Sequence, residues 1–112
     1  GDANKEEVKA RDLVDRLFLA QKFALALQFE RAQIELDKIL KDFPTFPRAL
    51  SMRGSIFFAQ KNYPESLKWY EEAIKADPQI EEAVKMIARV KTLQTGGRQP
   101  SAASEPLPGK AP

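Results

Sequence analysis

The sequence predicts an all-α fold: two antiparallel helical hairpins followed by a capping helix. Three observations carry that expectation. Apolar residues recur at three- and four-residue steps in five separate stretches, as they do in helices with one buried face. Prolines and short polar turns fall between the stretches, where a helix must start or stop. The residue pattern of one hairpin also returns 34 positions along the chain.

The polar residues 1–5 are expected to form a disordered end. The chain opens on glycine, so we expect upstream residues in the natural protein, with room there for a signal or anchor. A long helix is expected from about Glu6 to about Leu27. Leu13, Leu17, Ala20 and Ala24 share one side of it, and Val14, Phe18 and Leu25 share another, with Leu19 and Phe23 widening the stripe. A helix apolar almost all round is covered on more than one face or keeps a face for a partner. Gln28-Phe29-Glu30 breaks the pattern, and a second helix runs from Glu30 to about Phe43 with Ala32, Leu36, Ile39 and Leu40 inward. In the connection Phe43–Pro47, Thr45 is the expected N-cap.

The stretch from Pro47 to Pro78 reads as a complete hairpin with a tight turn at residues 61–64. Ala49, Leu50, Gly54, Ile56 and Phe57 give its first helix an apolar or small face, and Leu67, Tyr70, Ala73 and Ile74 give the second a matching one. Pro64 suits a first helical turn, and Glu65 complements the helix dipole there. Pro78 stops the second helix. Gly54 is mid-helix, where glycine costs about 1 kcal/mol relative to alanine. The small Ser66 twelve residues on implies that the two backbones approach closely there. A fifth helix is expected from about Ile80 to about Leu93, with Ala83, Val84, Ile87, Ala88 and Val90 inward and a charged outer side suited to an end cap. Gly96-Gly97 ends it. Residues 98–112 hold four of the eight prolines and no aromatic residue, so 96–112 is expected to be a flexible tail.

The halves align at a fixed step: Pro44 with Pro78, Ala20 with Gly54 and then Ala88, Phe23 with Phe57, Phe29 with Tyr63, Ala32 with Ser66, Leu36 with Tyr70. Two helices per 34 residues is the tetratricopeptide spacing. Residues 47–80 resemble a tetratricopeptide repeat, with Leu50, Gly54, Phe57, Tyr63, Ser66, Tyr70, Ala73 and Pro78 at the signature positions. Residues 13–46 resemble a degenerate copy, and residues 81–95 resemble the family's capping helix. The resemblance implies an α-solenoid over residues 6–95, a right-handed stack of helices. Three residues depart from the pattern: Arg16 stands where a large apolar residue is usual, Arg53 where leucine is, and Gln33 where an aliphatic residue is; the positions are expected to be exposed, or the arginines to snorkel along the stack.

Composition narrows the function. With no cysteine and no histidine, the chain lacks thiolate ligands, disulfides and the usual acid–base group, and no cofactor or metal is expected. The carboxylates Asp37, Glu71 and Glu72 read as solvated helix faces, paired as Asp37 with Lys41 and Glu71 with Lys75, and no enzymatic activity is expected. A net charge of +2 and a diluted cluster at Lys85, Arg89 and Lys91 argue against nucleic acid as a partner. No apolar run is long enough for membrane insertion, and the compartment stays open, with the cytoplasm favoured.

The resemblance implies a non-catalytic scaffold that binds a protein or peptide in a concave groove lined by the first helices of successive repeats. Carried over by position, the groove residues are Val14, Leu17, Gln21, Leu25, Arg48, Ser51, Ser55, Phe58, Lys85 and Arg89, with Ala24, Ala59 and Glu82 beside them. The family's clamp for acidic C-terminal peptides is disfavoured, because Leu17, Gln21, Glu82 and Met86 stand where its basic and amide residues belong. The alternative is self-association, a homodimer or an intra-protein docking through Val14, Phe18 and Leu25. Trp69 is expected on the outer side of the fourth helix, either half-buried against a neighbour or as a partner hot spot.

Overall fold

A computed structural model of the chain describes residues 2–96. It contains helices α1 (Asp2–Leu25), α2 (Phe29–Asp42), α3 (Pro47–Ala59), α4 (Tyr63–Ala76) and α5 (Glu81–Gln94). They pack in sequential pairs, α1 on α2, α3 on α4 and α4 on α5, with a lighter contact joining α2 to α3. From residue 97 on, the expected tail lies outside the described residues.

The 34-residue repeat is visible in the backbone itself. Both hairpin turns close by the same pair of hydrogen bonds. Gln28 N–H donates to the Phe23 carbonyl (2.8 Å) and Leu27 N–H to Ala24 (3.0 Å); 34 residues on, Asn62 donates to Phe57 and Lys61 to Phe58 (both 2.9 Å). This double closure satisfies carbonyls that the helix end leaves orphaned, and it needs a left-handed residue at its apex. Leu27 (φ 62°) and Lys61 (φ 61°) occupy it, although glycine would do so at less steric cost. The links between hairpins repeat as well. Phe43 N–H donates to Ile39 and Phe46 to Phe43, just as Asp77 donates to Ala73 and Ile80 to Asp77. α5 therefore leaves its turn as α3 leaves its own.

Two core clusters fill the stack. Ala20, Ala32, Leu36, Ile39, Ala49 and Ile56 form the first; Leu50, Tyr70, Ala73, Ala83 and Val90 form the second. The close approach expected at Gly54 is present. A Cβ there would lie 2.9 Å from the Tyr70 ring, and Ser66 Oγ donates to the Gly54 carbonyl (2.8 Å, buried). The Tyr70 hydroxyl meets Ser55 Oγ at 2.7 Å. Burial raises the Tyr70 pKa, and the Ser55 hydrogen bond offsets part of that rise.

Some details differ from the sequence expectation. Residues 2–5 are helical, continuing α1 through the helix formers that follow. Thr45 does not cap α3. The N-cap is Phe46, held extended by Pro47 and tilted against Phe43 at a centroid distance of 6.4 Å. Asn62 caps α4 by accepting from Glu65 N–H (3.4 Å). In α5, Ala83 and Val90 are buried, whereas Val84 and Ala88 face out on a side that no later described helix covers. Arg16 is held by Asp12 (2.9 Å) and Glu35 (3.0 Å), and these hydrogen bonds raise its pKa further. Arg53 pairs with Asp37 and lies over the Trp69 ring, 4.9 Å from its centroid. Both arginines thus bridge neighbouring helices, Arg16 reaching Glu35 and Arg53 reaching Asp37.

Candidate functional site

One side of the stack carries α1, α3 and α5, which touch in series, α1 on α3 and α3 on α5, and the second side carries α2 and α4. On the first side, Gln21 and Leu25 of α1, Arg48 and Ser55 of α3 and Glu82 of α5 surround a recess of about 190 Å³, with Ala24 and Met52 completing it. Helical spacing puts residues 21 and 25 one turn apart on α1, and 48, 52 and 55 on successive turns of α3. The recess therefore has an apolar wall, two neutral polar groups and one charge of each sign. It can take an apolar side chain and orient the flanking main chain or charges around it.

Four of the ten expected groove residues, Gln21, Leu25, Arg48 and Ser55, come together there. The other six do not. Val14 is 63% exposed and borders a separate shallow depression with Glu7, Arg11 and Asp15. Leu17 is half-buried against the first core cluster. Ser51 is fully buried. Phe58 is half-buried in the second cluster, 5.9 Å from the Tyr63 ring, with the Arg89 guanidinium 5.8 Å above it. Phe57 and Phe58 diverge, as adjacent helical positions must, and Phe58 packs partly buried against the second cluster. Lys85 is exposed on α5. Met52 was missed by the positional reading, although its one-turn step from Arg48 is legible in the sequence.

Two of the three surface carboxylates, Asp37 and Glu72, are paired, with other partners than expected. Asp37 binds Arg53 rather than Lys41, and Lys75 binds Glu72 (3.2 Å) rather than Glu71. Trp69 is half-buried, and its Nε1–H donates to Glu65 (3.2 Å). Among the described residues no cluster of three or more metal-ligating side chains occurs, and no helix is long and apolar enough to cross a membrane.

A family model described as tetratricopeptide repeat matches residues 19–79, more than half of the chain. The chain belongs to the tetratricopeptide repeat family. The match runs from the second half of α1 through the end of α4, the span in which the two turn closures repeat. Comparisons with curated proteins and with solved structures return no match. Tetratricopeptide domains are generally protein-interaction modules and typically non-catalytic scaffolds, and this chain is one such domain with a protein partner implied.

Proposed function

We propose that the domain is a non-catalytic scaffold that holds a helix or an extended peptide of a partner protein along the side formed by α1, α3 and α5. The observation that carries this reading is the recess to which all three helices contribute, with apolar Leu25 and Met52 beside Arg48 and Glu82. Burial of a partner's apolar side chain against Leu25 and Met52 supplies affinity. Arg48 and Glu82, with Lys85 and Arg89 further along α5, set its orientation. The test is affinity capture from cell extract with three variants. Leu25 is 77% exposed, so Leu25→Glu leaves the core intact. Capture lost with Leu25→Glu and Arg48→Glu, but kept with Glu71→Lys on α4, supports the reading. A partner set unchanged by Leu25→Glu contradicts it.

A second reading has its own observation. Val14, Phe18 and Leu25 are 63–77% exposed along one side of α1, an unusual concentration for a free surface. Self-association through that strip gives a sedimentation coefficient that rises with protein concentration and falls back on Phe18→Asp. A monomer at all concentrations rules it out.

A further inference from the structure

A second recess lies on the other side of the molecule, between α2 and α4 and over α3, with a volume of about 510 Å³. Its walls are Phe29, Ile34, Phe57 and Trp69. Ile34 is half exposed, so the apolar surface is open to an occupant. Three carboxylates, Glu30, Asp37 and Glu65, line it against a single cation, Arg53. Asp37 neutralises Arg53, and the guanidinium is stacked on Trp69. Lys68 also approaches the Trp69 ring, at 5.2 Å, without lining the recess. Glu65 accepts from Trp69, whereas Glu30 has no ion-pair partner among the described residues. The surplus charge facing the opening is negative.

Two departures from the repeat pattern meet at this recess. Gln33 stands 34 residues before Leu67, and Arg53 stands 34 after Leu19, so each replaces an aliphatic residue of the sister repeat. The arginine has found partners. The Gln33 amide has not: its nitrogen and its oxygen are both buried without a hydrogen-bond partner, as is Arg53 Nε. Leaving such groups unpaired is destabilising, and an aliphatic residue at position 33 would avoid that cost. Gln33 lines the recess, where a rotated amide would face an occupant. There it offers one donor and one acceptor, the complement of a main-chain peptide group.

We infer that this second recess binds an extended, basic polypeptide segment, with an aliphatic or aromatic side chain against Ile34, Phe57 and Trp69, an arginine or lysine beside Glu30 and Glu65, and a peptide group paired with Gln33. The site is separate from the recess of α1, α3 and α5, and it stands whether or not that one binds a partner.

Trp69 is the only tryptophan in the chain and reports on the recess directly. The experiment titrates the full chain with a blocked hexapeptide of alternating leucine and arginine, and with leucine–glutamate and leucine–serine counterparts, while following Trp69 emission. The expected result is a saturable change with the arginine peptide alone. Glu30→Lys weakens it about tenfold or more, raising salt from about 0.1 M to about 0.5 M weakens it further, and Leu25→Glu leaves it unchanged. Gln33→Leu also weakens binding while raising the melting temperature, because it removes an unpaired buried amide. Four results overturn the inference. The three peptides act alike, Glu30→Lys has no effect, or Leu25→Glu rather than Glu30→Lys abolishes the response. The fourth is an emission change that follows protein concentration without peptide, or follows truncation after Gly96, which gives the recess to a second copy or to the chain's own C-terminal stretch.

Discussion

The two hairpins follow one backbone course with different side chains at the crossing. In the second, Gly54 admits the Tyr70 ring, Ser66 bonds the Gly54 carbonyl and Ser55 bonds the ring hydroxyl. In the first, the positions equivalent to Gly54, Tyr70 and Ser66 hold Ala20, Leu36 and Ala32, all fully buried and all apolar, and exposed Gln21 stands in place of Ser55. The glycine is needed only where the aromatic ring is present; an alanine suffices opposite a leucine. The first crossing relies on apolar packing alone, and the second adds hydrogen bonds that fix its register. What the repeat conserves within this chain is the space at the crossing and the turn that closes it, rather than the residues that fill it.

The largest effect expected from this comparison is at Gly54. Gly54→Leu drives a side chain into the Tyr70 ring and destabilises at the upper end of the about 1–3 kcal/mol typical of overpacking. Gly54→Ala also destabilises, against the gain in helix propensity of about 1 kcal/mol, whereas Ala20→Gly costs about that amount. Placing Leu36's residue at the second crossing, as Tyr70→Leu, makes Gly54→Ala favourable. A double-mutant cycle in urea that shows additive effects would break the comparison.

Tyr70→Phe is next. It removes the Ser55 hydrogen bond at a cost of about 1 kcal/mol. It also changes the alkaline limb. Burial raises the Tyr70 pKa above its ordinary 10.0, so its contribution is whole below about pH 10 and is lost as pH climbs through the higher folded value. Melting temperatures of the parent fall across that window more steeply than those of Tyr70→Phe. Smaller gains are expected at the turn apices. Lys61→Gly and Leu27→Gly each relieve a left-handed residue and stabilise by roughly 0.5–1 kcal/mol, equally in both repeats. The smallest effect is Arg16→Ala, at most about 1 kcal/mol and shrinking in salt, because its pairs with Asp12 and Glu35 are partly exposed.

The helices, their pairing and the Gly54 crossing were legible because period and spacing encode them directly. The left-handed apices were not. Lys61 and Leu27 carry no glycine signal, and Asn62, the residue type that tolerates such a conformation, instead serves as the next helix's cap. The ion pairs were misassigned because spacing along one helix names only local partners. Asp37 and Arg53 meet across two helices, and only packing puts them together. The groove was partly legible. Of the positions carried over by family register, Gln21, Leu25, Arg48 and Ser55 line one recess, but register alone cannot say that Phe58 packs under Arg89 or that Ser51 is sealed. The second recess had a signal in the sequence, two polar residues at aliphatic repeat positions, whose meeting point needed the fold.

The most direct measurement is a nuclear Overhauser spectrum of the aromatic region. Packed hairpins place the Tyr70 ring protons against a Gly54 α-proton, giving strong cross-peaks between residues on two different helices. A Tyr70 ring with no cross-peak to Gly54, in a chain whose circular dichroism is still helical, would mean that the helices form without pairing in this way.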